Sequence, residues 1–207
     1  MTLSVTLVLV AITVLVSWQA FNNRALLDRL ILWPPAIDRQ KQYDRLLTHG
    51  FIHADWMHLL FNMITLYSFG QTMERFYAER IGLIGYVGFY LSAIVVAILP
   101  TFMKHRHDAN YRSLGASGAV SAVLFSFILL APWSPIHLFL IPIGIPAFMF
   151  AALYIGYSIW MDQRGGDKVN HSAHLWGAAY GMLFTVLLEP RVATTFVERL
   201  LSPPAGA

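Results

Sequence analysis

The sequence predicts an all-α membrane protein built as a bundle of six transmembrane helices. Three observations carry that expectation. Of 207 residues, 57% are hydrophobic and 12% charged, whereas soluble domains carry roughly 25% charged residues. Six stretches approach the roughly 20 mostly apolar residues that a spanning helix needs. Most intervals between them are too short for a second domain, so residues 1–190 read as one membrane domain and 191–207 as a short tail.

The first stretch covers residues 3–18. Its Met1-Thr2-Leu3-Ser4 start lacks the basic region of a cleavable signal peptide, so it is expected to stay as a first span. Residues 19–55 form the longest polar interval and hold Trp33-Pro34-Pro35 and Tyr43. Such a mixture predicts a partly helical element at headgroup level, where amphipathic rings are favoured. The second span is residues 56–69 with its flanks, followed by a connection at Glu79-Arg80 and a third span at 81–102. A basic loop, 104–113, leads to a fourth span at 114–131; residues 132–135 connect it to a fifth at 136–160. The interval 161–170 contains the turn signal Gly165-Gly166 before the sixth span at 173–188. After Pro190 the tail, ending Ser-Pro-Pro-Ala-Gly-Ala, reads as frayed.

Cysteine is absent, which excludes disulfides, thiolate metal sites and a cysteine nucleophile. The net charge of +3 is scattered over short loops, the ordinary pattern for a membrane protein, and predicts no nucleic-acid partner. Ten basic residues fall on one side (Arg24, Arg29, Arg39, Lys41, Arg45, Lys104, Arg106, Arg112, Arg164 and Lys168) and four on the other (Arg75, Arg80, Arg191 and Arg199). The positive-inside rule alone would put the first set in the cytoplasm.

Polar side chains at membrane depth are costly and mark functional sites, especially when several converge. Gly115-Ala116-Ser117-Gly118 begins the fourth span. There the serine amide lies among the unpaired donors of a helix N-terminus, where an oxyanion is stabilised. Taken alone, the same residues also fit a small-residue packing motif between helices. In the sixth span, His174, Gly177 and Gly181 fall within about 60° of one another on a helix, so a histidine lies on a seam able to pack very closely. Without the histidine, Gly177-x-x-x-Gly181 would be a packing motif only. An imidazole can take and return a proton near neutral pH. His58 and Asn62 share a face of the second span and supply hydrogen-bond donors, although an interhelical hydrogen-bonded pair would look the same. A metal site at His49, His53 and His58 is disfavoured, because the carboxylate of a zinc-protease helix is missing. Together these groups supply a nucleophile, a base and oxyanion donors. Acidic residues such as Glu74, Asp162, Asp167 and Glu189 sit at span ends or in loops, which favours a Ser-His dyad over a triad.

From Arg45 to Gly181 the sequence resembles the rhomboid family of intramembrane serine proteases. The matching pieces are Gly115-x-Ser117-Gly118, Ala173-His174-x-x-Gly177-x-x-x-Gly181 and His58-x-x-x-Asn62, in family order. Smaller echoes are Arg45 ahead of Thr48-His49, His53 five residues before His58, and Gly70-x-x-x-Glu74. The resemblance implies a six-helix rhomboid bundle and an endopeptidase with Ser117 as nucleophile and His174 as base. It implies oxyanion stabilisation by His58, Asn62 and the Ser117 amide, and close helix packing through Gly115, Gly118, Gly177 and Gly181. No cofactor and no metal are implied. Substrates would be single-span transmembrane proteins met in the lipid bilayer, at a plasma membrane, with the site open to the extracytoplasmic side against the charge count. The second and fifth spans and residues 132–146 are candidates for the element that moves to admit them. Two positions depart from the family. Ser121 stands where an aromatic ring often supports the base, which leaves two expectations: other contacts, such as Tyr86, Tyr90 or His171, hold the imidazole, or it is less rigid and the enzyme slower; Asp44 replaces a tryptophan in the first loop. The alternatives are a catalytically inactive rhomboid-like protein that binds or escorts membrane helices and, less favoured, a small transporter relaying protons through histidines.

Overall fold

The computed structural model describes residues 4–137, 144–167 and 169–203. Residues 138–143 of the expected fifth span, Leu3 of the first, Lys168 of the charge count and the last four residues of the tail lie outside the described residues. The described chain is predominantly helical.

Helix α1 spans Val5–Asn22 and is capped by the Ser4 hydroxyl. Its buried positions are Thr6, Leu9, Thr13, Ser17 and Ala20. This stripe at helical spacing, made mostly of small residues, lets a neighbouring helix come close. The first loop is folded, as its composition predicts, into α2 (Arg24–Leu30), α3 (Pro34–Asp38), α4 (Arg45–Thr48) and a 3-10 turn at His49–Phe51. Arg45 is buried at its centre, donating to the carbonyls of Asp28 (2.8 Å) and Ile31 (2.7 Å) and to Gln42 Oε1 (2.7 Å).

The second and third expected spans form one continuous element, α5 (Trp56–Lys104), capped by Asp55. The chain stays helical through Glu79 and Arg80, whose guanidinium lies over the Phe76 ring, and the break comes at Gly82. There the helix folds back on itself: Tyr86 Oη reaches the Gly70 carbonyl (3.2 Å), and the Tyr77 and Phe89 rings lie 4.5 Å apart. In a straight helix, residues 70 and 86 would be about 24 Å apart. Gly82 has φ 73° and ψ 169°, a region open essentially only to glycine, and nothing lies within 4 Å of where its Cβ would be. Gly82→Ala therefore costs backbone strain alone, about 1–3 kcal/mol, seen as a lower thermal midpoint in detergent. Gly88→Ala, equally uncrowded but helical, leaves the midpoint unchanged or slightly raised.

Helix α6 (Ser117–Leu130) is shorter than the expected fourth span, and eleven of its 14 residues are buried. It is the core against which α5 and α8 (His171–Leu188) pack. Tyr77 Oη of α5 bonds Ser126 Oγ (3.1 Å) and Thr185 Oγ1 (2.7 Å), and Ser126 donates to the Gly181 carbonyl (3.0 Å), tying the three helices together.

The expected fifth span begins late. Residues Pro135–His137 (β1) and Gly144–Pro146 (β2) pair antiparallel, with Pro135 opposite Pro146, and α7 starts only at Ala147, running to Arg164. Pro146 and Gly144 explain the shift: one lacks the N–H a helix interior needs and the other favours non-helical backbone. The part of the tail within the described residues is not frayed either. Residues Arg191–Leu201 form α9, whose less exposed positions 192, 195, 196 and 200 make a helical stripe. Its Arg199 guanidinium donates to the Leu130 carbonyl that ends α6, and Trp133 Nε1 donates to the Arg199 carbonyl (2.9 Å). By length and composition, α1 and the folded-back α5 are able to cross a membrane; α6 is apolar but shorter.

Candidate active site

Ser117 is the first residue of α6, so its amide has no partner within the helix. The loop leading to it is pinned by the first loop. Gly115 N donates to the His49 carbonyl (2.9 Å) and Ala116 N to His53 Nε2 (3.3 Å). Because His53 Nε2 accepts, the ring proton sits on Nδ1, facing Ser17 Oγ (3.0 Å), which donates onward to the Phe51 carbonyl (3.0 Å). Gly115 has φ +119°, and a Cβ there would lie 2.7 Å from His58 Cε1. The His58 ring therefore lies directly over this backbone.

His174 stands in the first turn of α8, which begins at an Asn170 cap (Oδ1 to Ala173 N, 2.9 Å). A Cβ at Gly177 would sit 2.0 Å from the Gly118 carbonyl oxygen, and one at Gly181 2.1 Å from that of Ala122. Helices α6 and α8 thus touch backbone to backbone. A Cβ on Gly118 would in turn lie 2.6 Å from Ala97 Cβ and 3.3 Å from the Ala173 carbonyl oxygen. All four glycines expected at the site sit at close approaches.

A cavity of about 880 Å³ brings together Ser117, His174, His58 and Asn62. Two features differ from expectation. Among the described residues, no hydrogen bond joins Ser117 Oγ to His174; such contacts are often long before substrate binds. Asn62 Nδ2 donates back to the His58 carbonyl of its own helix (2.9 Å), which commits one of its two N–H groups.

The support of the imidazole also differs. Tyr86 Oη is engaged with Gly70 and Thr6, and Tyr90 is buried in the core; neither meets His174. His171 does, edge-on at 5.8 Å, while its Nε2 pairs with Asp167 (2.9 Å). The ring stacked on His174 belongs to Tyr154 of α7, at 6.0 Å and 23°, and Tyr154 Oη bonds Ser121 Oγ (2.7 Å). Sequence reasoning missed Tyr154. The one available signal was a hydroxyl at position 121, which is able to anchor a ring brought from elsewhere.

The histidines of the first loop do not converge on a common point. His49 Nδ1 donates to the Arg45 carbonyl (3.1 Å), and His53 is occupied as described. Burial pushes the His49 pKa down to about 4 and, helped by the nearby His58, that of His53 to about 3. Both values lie below the unfolded value of about 6.5, so the unfolded chain binds more protons in acid and stability falls as pH drops from that value towards 4 and 3. The thermal midpoint in detergent is expected to be lower at pH 4.5 than at 7.5, with a smaller drop in His53→Gln.

Comparison with known proteins gives the same family from several directions. The family model described as Rhomboid domain matches residues 40–191. RHOMBOID-like protein 12, mitochondrial, of Arabidopsis thaliana is 32% identical over 80% of this chain and 52% of its own length. Rhomboid protease GlpG of Haemophilus influenzae is 24% identical over 87% of this chain and 88% of its own. Rhomboid protease GluP of Bacillus subtilis is 29% identical over 79% of this chain but only 29% of its own length. The chain thus spans about half of the plant relative and less than a third of the Bacillus one. With a mitochondrial protein among these relatives, the expected plasma-membrane location is not supported, and a membrane location is what stands.

Proposed function

This chain belongs to the rhomboid family of membrane proteins, and on that premise we propose that it is an intramembrane serine endopeptidase working through a Ser117–His174 dyad. The observation that supports the reading is the close backbone approach of Gly177 and Gly181 to α6, together with the lining of one cavity by both Ser117 and His174. Ser117 Oγ attacks the scissile carbonyl carbon as its proton passes to His174. The carbonyl oxygen becomes an oxyanion, stabilised by the Ser117 amide, His58 and the second N–H of Asn62. His174 returns the proton to the leaving amine. Water, deprotonated by the same imidazole, then releases the acyl group from Ser117.

Substrates are single-span membrane proteins that unwind near the cut, because an intact helix shields its carbonyls. Six helices cross the bilayer: α1, the two arms of α5, α6, α7 and α8. The cavity opens on the side of the first loop, whose Ile31 and His49 line it, and family orientation makes that side extracytoplasmic. A second reading, an inactive helix-binding relative, is favoured by the lack of a Ser117–His174 hydrogen bond among the described residues and by the turn of Asn62 to the His58 carbonyl. The deciding experiment is cleavage of a single-span reporter in liposomes by wild type, Ser117→Ala and His174→Ala, with fluorophosphonate labelling of Ser117. Activity confined to wild type is expected, and cleavage persisting in Ser117→Ala overturns the proposal.

A further inference from the structure

Helix α7 is peripheral: of its described residues, only Ala147 and Ser158 are buried. Yet it contributes two rings, one helical turn apart, to the two histidines of α8. Tyr154 stacks on His174, and Tyr157 stands edge-on to His171 at 5.6 Å. The Tyr154 ring is enclosed by Phe125 and Phe150, at 5.4 and 5.8 Å, and its hydroxyl is fixed by Ser121. Such contacts confine an imidazole to one plane. Phe150 and Tyr154 also line the cavity, as do Phe61 and Thr65 of α5. A chain reaching Ser117 from between α5 and α7 has to displace the helix that carries the ring.

We propose that Tyr154, anchored by Ser121, is the positioning residue for His174, so that the base is held in its working orientation only while α7 is docked. The inference rests on the protease reading of the same site. Misplacing a reacting group by about 1 Å costs up to about 100-fold, so losing the ring acts on kcat while substrate contacts, and KM, stay nearly unchanged.

The test measures kcat, KM, Ser117 labelling rate and thermal midpoint for wild type, Y154F, Y154L, S121A and the double variant S121Y/Y154L. Y154L is expected to lower kcat and labelling about tenfold or more, with KM within about twofold. Y154F keeps the ring and loses at most about threefold, as does S121A. In the double variant, a tyrosine at 121 fills the space vacated by residue 154 and restores much of the lost rate. An active wild type with Y154L at full kcat overturns this inference alone. So does a Y154L loss that follows the thermal midpoint and is not rescued from position 121. A wild type that neither cleaves nor labels defeats the protease reading, and this inference with it.

Discussion

Ser117→Ala is expected to reduce cleavage by about 10⁴-fold or more, and His174→Ala by a similar factor, because nucleophile and base act as one unit. The double variant should then be no worse than either single one. Reagent access is not the limit, since both residues line the cavity. Neither substitution empties a fully buried site: both positions are only half-buried, so expression and thermal midpoint should change little and the loss can be read as chemistry. His174→Ala forfeits its stack on Tyr154 and its edge-on contact with His171. The same pair separates the competing readings. A transporter would keep a His174-dependent flux in Ser117→Ala, and an escort protein would keep binding membrane helices in both variants. Loss of cleavage together with loss of fluorophosphonate labelling in both fits only the protease.

What the sequence made legible was local. Ser117 and Gly118 announce themselves as a polar, small-residue start to an apolar span, and His174, Gly177 and Gly181 because helical spacing puts them on one face, where glycines imply close approach whatever the partner. The folded first loop was readable from its aromatic and proline content. What stayed hidden depended on partners far apart in the chain. Tyr154 meets Ser121 and His174 across 33 and 20 residues, and no spacing rule connects them. The polar pair Glu79-Arg80 looked like a loop, but Arg80 folds over Phe76 within the helix, so the reversal waits for Gly82, the first residue able to adopt that backbone. Asn62 was readable as a donor, whereas its choice of the His58 carbonyl was not. In the tail, terminal prolines masked the apolar stripe of α9.

Gly177→Val should abolish activity even though it removes no reacting group. The Cβ would fall 2.0 Å from the Gly118 carbonyl oxygen and 2.7 Å from its carbon, and these are backbone atoms that cannot rotate aside as a side chain would. The only relief is for α8 to move away from α6. Gly118 is bonded to Ser117 and faces the Ala173 carbonyl, so that movement widens the gap between the proposed nucleophile and base. A separation of about 1 Å is enough to cost about 100-fold, and the β-branched side chain forces at least that. Gly181→Val meets the Ala122 carbonyl at 2.1 Å one turn further along. It should therefore tilt the helix rather than translate it at the site, with a smaller loss in rate and a comparable loss in stability. Gly156→Ala, with nothing within 4 Å, serves as the reference and should match wild type. Full activity in Gly177→Val would mean that α6 and α8 do not need backbone contact and that the glycine seam does not bring His174 to Ser117.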